Sequence, residues 1–262
     1  MTNTSVEHEY RVLLPRLLGL YPQAAGGASR LALRESHTGV GHVAHGWYMR
    51  CHRGVTAVLT LEGVNLQTEA APVRRSVLEH VVALKWLVDQ GAAVADILRR
   101  GAAYDATRRK AAVQAAGWTS VDTALFDAVI QDGEGLDRTN DNLLTFKQRC
   151  DRFGTEHDWT TYLNETAQSH PSWESALPYL DITSGTPVAR SHALPVIDQA
   201  GFCAIHIFEA LWCMSKILDS SYLTAEVDEV GGVLENLMLR QRRELGLSVP
   251  APSASAPSQQ GQ

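Results

Sequence analysis

Apolar positions along this chain recur every three to four residues, and no run shows the strict alternation of a half-buried strand. The pattern is sharpest from Pro72 to Gln90. There Val73, Val77, Leu78, Val81, Leu84 and Val88 build one apolar helix face. Pro72 suits a first helical turn, where its missing N–H would have no partner in any case, and Gly91 is a good stop. Arg75 and Glu79, four residues apart, share a second face. His80 follows, and Trp86 is expected further along the Arg75–Glu79 side.

The remaining elements follow from periodicity and punctuation. Residues 2–20 read as a short helix that Pro15 bends or splits, and the stretch from Tyr21 to Arg30 reads as a loop. Residues 43–65 read as a helix in which Gly46, Gly54 and Gly63 leave room for a close neighbour. Alanine-rich residues 92–116 form a helix with a basic, solvated side around Arg108, Arg109 and Lys110, closed by Gly117. Thr119 or Ser120 is the expected cap of a helix over 121–131. Asn140 or Asp141 is the expected cap of another that runs to about Arg152. Further helices are expected over 158–169, 172–180, 193–218 and 222–245, with a surface loop over 181–192 holding at most a short extended piece. Residues 248–262 are Pro, Ser, Ala and Gln with nothing to bury, and read as disordered.

The predicted fold is therefore all-α, a single bundle of about eight helices. Residues 1–40 would form an N-terminal helix and loop, 41–246 the bundle and 247–262 the tail. A length of 262 residues with 45% hydrophobic and 20% charged residues supports a sizeable core. The formal net charge of -6 argues against a broad electrostatic grip on nucleic acid. Cys51, Cys150, Cys203 and Cys213 lack zinc-site spacing and read as reduced thiols. The N-terminus lacks the basic start and apolar run of a signal peptide, so the expected location is cytoplasmic. The most apolar stretch, 201–218, contains His206, Glu209 and Lys216. It reads as a core helix and not as a membrane span, which wants ~20 apolar residues.

Three constellations carry possible chemistry. Arg75-x3-Glu79-His80 is either a surface ion pair or a partly buried site where a guanidinium fork meets a carboxylate or phosphate. Tyr162-x3-Thr166-x3-His170 places three polar groups on one helix face, with His170 either capping the helix end or serving as an acid/base or anion ligand. His42, His45 and His52 fall near one face, but the glycines around them and the missing His-Glu-x-x-His pattern leave no metal assigned. No Walker A loop, Gly-x-Gly-x-x-Gly or Gly-x-Ser-x-Gly motif occurs, so no cofactor is implied.

The Arg75-Ser76-Val77-Leu78-Glu79-His80 segment, together with Tyr162-x3-Thr166-x3-His170, resembles a helical family of uncharacterised bacterial proteins across residues 45–220. That resemblance implies no particular activity. The chain is more distantly similar to the HEPN superfamily of helical bundles through Arg75-x4-His80, Arg74-x5-His80 and Arg152-x4-His157. This second resemblance implies RNA or nucleotide as partner and a metal-independent ribonuclease of a toxin or phage-defence system.

Two readings follow. In the preferred one the chain is a non-enzymatic binding or scaffold protein, with Arg75, Glu79, Tyr162, Thr166 and His170 forming a buried network between helices. In the other, His80 or His170 is an acid/base catalyst and Arg75 stabilises a phosphate. A third option is one apolar pocket lined by Trp47, Trp86, Trp173 and Trp212. The apolar and Ala/Gly-rich helices would suit a homodimer as well as the interior of one bundle.

Overall fold

The computed structural model describes residues 4–25, 32–136, 141–183, 185, 187–190, 193 and 199–247. The fold is all-α, and the described residues contain nine helices of two turns or more. These are α1 (Thr4–Ala25), α2 (Gly41–Gly63), α3 (Ala71–Gln90), α4 (Val94–Ala115), α5 (Ala124–Asp132), α6 (Phe146–Phe153) and α7 (Glu156–Ser169), then α9 (Gln199–Ile217) and α10 (Ser221–Glu244). A single helical turn, α8 (Trp173–Ala176), precedes a small hairpin. In that hairpin β1 (Leu180–Asp181) pairs antiparallel with β2 (Val188–Ala189). The tail over 248–262 lies outside the described residues, as does Asn140.

Helix α9 sits at the centre because its sequence is apolar all round: Phe202, Cys203, Ile207, Leu211, Cys213, Met214 and Ile217 are all buried. It is long and apolar enough to cross a membrane, but most of it is buried inside the bundle. Helices α1, α2, α3 and α10 pack around it. Leu33 bridges Leu218, and the Arg34 amide donates to the Ile217 carbonyl at 3.0 Å, which ties the entry of α2 to the end of α9.

Helix α1 corrects the sequence reading. It is unbroken through Pro15 and runs on to Ala25. Pro15 and Arg11 are both exposed, so the carbonyl that the proline leaves unpaired is on the wet side of the helix. Meanwhile Tyr10, Leu13, Leu14, Leu17 and Leu20 bury the opposite face. The α5 cap is also not the expected one. The helix starts at Ala124, whose amide donates to Asp122 Oδ1 at 2.9 Å, and neither Thr119 nor Ser120 caps it. No residue of α5 is buried, and its main support is α4.

Glycine positions in α2 differ in what they do. An added methyl at Gly54 would meet Val77 Cγ2 at 2.5 Å, so α2 and α3 touch there only because no side chain intervenes. Gly46 and Gly63 face open space. At the end of α3, Gly91 takes φ +54 and stops the helix, with its Cα turned towards the Ser36 carbonyl.

Candidate functional site

Helix α3 carries the chemistry, and most of it is directed at α7. Three cations form the seam. Deepest is Arg74, 3% exposed, opposite Glu165, also 3% exposed. Arg74 Nε donates to Glu165 Oε1 at 2.9 Å, and Nη2 lies 2.8 Å from Oε2 as an ionic contact without hydrogen-bond alignment. Arg74 Nη1 donates to the Gln67 carbonyl at 2.8 Å and to Gln199 Oε1 at 3.1 Å. One guanidinium thus joins the start of α3, α7 and the start of α9.

Arg75, the next residue, is about 100° further round the helix and half-exposed. Its Nε donates to Glu79 Oε1 at 3.1 Å, Nη2 to the Tyr162 hydroxyl at 3.0 Å and Nη1 to His170 Nε2 at 3.1 Å. An arginine can only donate, so His170 Nε2 must be the unprotonated nitrogen. The guanidinium also lies 4.9 Å from the Tyr162 ring centroid. Tyr162 stacks in turn on Phe146 (4.2 Å) and Trp159 (5.4 Å). The predicted ligand set is therefore brought together, except Thr166, but not as the buried network expected: His170 is exposed and Arg75, Glu79 and Tyr162 are half-buried. Thr166 Oγ1 is buried on the same helix without a hydrogen-bond partner. His170 follows the end of α7 in extended conformation, and its ring meets Arg75 rather than the helix carbonyls.

The third cation is Lys85. Its Nζ donates to Glu209 Oε1 at 2.7 Å and lies 3.8 Å from Asp158 Oδ2. Burial works against its charge, but Glu209 and Asp158 outweigh this and raise its pKa. Asp158 closes a capping box at the start of α7, accepting from the Thr155 amide at 2.6 Å. Because residue 74 faces 165 while 85 faces 158, the two helices run antiparallel along the seam.

His80 is separate from this group. Five residues after Arg75, it lies about 140° away around the helix. Its Nδ1 donates to the Ser76 carbonyl at 2.6 Å, which leaves Nε2 as the free nitrogen. Burial lowers its pKa, and the positive charges of Arg50 and Arg149 push the same way. The Ser76 hydrogen bond and Glu79 oppose them without reversing the shift. Arg152 and His157, the other sequence-matched pair, are both exposed. Arg152 lies over the Phe153 ring, and His157 is within 3.5 Å of Glu156.

Trp86 is fully buried, about three turns further along α3 on the Arg75 side. Its indole N–H donates to Gln90 Oε1 at 2.9 Å, and the Arg149 guanidinium lies 5.8 Å from its ring. The four tryptophans do not share a pocket. Trp86 is core, Trp173 is 65% exposed, and Trp47 and Trp212 line different clefts. On α2, His45 Nδ1 meets the Tyr21 hydroxyl at 2.6 Å and His52 Nε2 donates to the Leu18 carbonyl at 3.1 Å, so both histidines are occupied in packing α1 on α2. Among the described residues no group of three metal-ligating side chains converges, and all four cysteines are buried free thiols.

Glu165 and Gln199 were not among the sequence candidates, and Arg74 entered only through its spacing to His80. A signal existed for Arg74: it precedes Val77 and Leu78 by three and four residues and so belongs to the apolar stripe. Glu165 lies seven residues after Asp158, and both are buried. No protein-family model, curated protein or solved structure matches this chain.

Proposed function

We propose that the chain is a non-enzymatic binding or scaffold bundle, in which the Arg, Glu and His groups between α3 and α7 fix how those helices dock. The observation that carries this reading is the use of Arg75. Its three nitrogens are directed at Glu79, Tyr162 and His170, so the guanidinium fork is engaged within the protein. His170 in turn offers its lone pair to Arg75 and holds no proton on Nε2 to give away. A polar network of this kind sets helix register without chemistry.

A second reading is favoured by one observation at His80. Its ring is held neutral chiefly by burial, with Nε2 free and the charges of Arg50 and Arg149 adding to the shift. A neutral imidazole near cations is the arrangement a metal-independent, HEPN-like ribonuclease would use on a phosphodiester. The two readings separate in one assay. Purified protein is incubated with short single-stranded RNA in EDTA, alongside the His80→Ala and His170→Ala variants. Intact RNA in every reaction is the expected result. Cleavage by the parent that disappears in His80→Ala would replace the first reading with the second.

A further inference from the structure

A large cleft lies beside α4 and α5, reaching α3 only through Arg149. It occupies about 1080 Å³ between α4, α5, the start of α6 and Trp47 of α2. Two glycines in its lining leave no room for a side chain. A methyl on Gly133 would come within 2.5 Å of Ala103 Cβ, and one on Gly101 within 2.7 Å of Leu144 Cδ2. Leu98, Ile130 and Leu144 supply apolar wall. Trp47, half-buried, and Tyr104, 65% exposed, supply flat aromatic surface.

The charge in this cleft is unevenly placed. Its acidic residues, Asp105 and Glu134, are exposed. Two arginines, Arg100 and Arg149, lie deeper. Arg149 forms no ion pair with a described residue, and its Nε is sealed from solvent without a hydrogen-bond partner. Its remaining described contact is the face of the Trp86 ring, 5.8 Å away. Burial without a partner lowers its pKa, with Glu79 only partly offsetting. Arg149 as a whole is partly buried, and a guanidinium held there without an ion pair is costly, a cost that a bound anion would offset. Pockets that bind organic ligands combine apolar wall with placed polar groups at a few hundred to about a thousand Å³, and this cleft combines Trp47, Leu98, Tyr104, Ile130 and Leu144 with a larger share of polar and charged groups at that size.

We propose that this cleft is the binding site for an organic anion, whose phosphate or carboxylate group is held by Arg149 while a flat apolar body lies against Trp47 and Tyr104. The proposal gives the binding reading above its ligand class, and it rests on that reading. The guanidinium would supply the charge-assisted hydrogen bonds that it makes to no described residue.

The test is calorimetric titration of the full chain with three probes of one shape: phenyl phosphate, benzoate and uncharged phenol. Saturable binding of phenyl phosphate or benzoate at millimolar concentrations, with phenol weaker, is expected, and the better of the two anions identifies the acidic group. Arg149→Met should weaken that binding at least tenfold, and Tyr104→Ala, at an exposed position that the fold does not need, severalfold. Free Arg149→Met should melt at or above the parent temperature, because it removes a partly buried charge that has no ion-pair partner among the described residues. Three results would overturn the proposal: no binding of either anion, binding that Arg149→Met leaves unchanged, or a lowered melting temperature for that variant, which would make Arg149 a structural partner of Trp86. RNA cleavage in the earlier assay would instead refute the non-enzymatic reading, so the two failures are distinguishable.

Discussion

The Arg74–Glu165 pair gives the sharpest test of how α3 and α7 are held. Both side chains are 3% exposed, and their closest approach is 2.8 Å. At an effective dielectric of ~20, two unit charges at that distance attract by about 6 kcal/mol, against a desolvation cost of several kcal/mol per ion. The net value of the pair is therefore small, but the cost of halving it is large. Glu165→Leu leaves a buried guanidinium with neutral acceptors only, and Arg74→Met leaves a buried carboxylate. Each should destabilise by about 3–5 kcal/mol. For a domain of this size that is a fall in Tm of roughly 6–20 °C. The double variant Arg74→Met/Glu165→Leu removes both charges together. It orphans the Gln67 carbonyl and Gln199 Oε1, acceptors that Arg74 now satisfies. It should nevertheless lie within about 2 kcal/mol of the parent, above either single variant. Urea unfolding of the four proteins provides the double-mutant cycle. Additivity, with the double variant losing the sum of the singles, would refute the claim that the two charges are coupled.

Two further outcomes follow from local geometry. Gly46→Ala and Gly54→Ala lie on the same helix and should move stability in opposite directions. The first gains up to about 1 kcal/mol of helix propensity in open space, whereas the second forces a methyl onto Val77 and should lose about 1–3 kcal/mol in urea unfolding. The His80 pKa is lowered in the folded state, chiefly by burial. The unfolded chain then binds more protons at mildly acid pH, so the stability contributed by neutral His80 is complete above its unfolded pKa and is lost as pH falls below ~6.5. Melting curves across that range should slope less steeply in His80→Asn, and an unchanged slope would exclude His80 as the source.

How much of this was legible in the sequence depends on the range of the interaction. Helix α3 was readable because everything that defines it is local: the stripe from Val73 to Val88, Pro72 at its start and Gly91 at its end. The Arg75–Glu79 pair was readable for the same reason, being four residues apart. That Tyr162 and His170 converge on Arg75 was not, because the contact spans 87 and 95 residues and exists only once α7 docks. Arg74 was underrated because charged side chains are rarely fully buried, and its partner Glu165 is 91 residues away. Pro15 misled in the other direction. A local rule against proline gave way to tertiary burial of Leu14 and Leu17 on the far side of α1. Of the cleft only Trp47 stood out in the sequence, since its aromatic, apolar and basic groups come from four separate helices.

Helix α5 has a consequence for how the molecule moves. It buries no residue fully and is held to α4 by ion pairs such as Arg99–Asp132 and by the glycine contact at 133. Detaching it exposes little apolar surface, so it can open at a free energy well below that of the whole bundle. Ile130 and Gly133 of this segment form part of the cleft wall. An occupant would thus be released on the timescale of a local, sub-global fluctuation, while α9 and the helices around it stay folded.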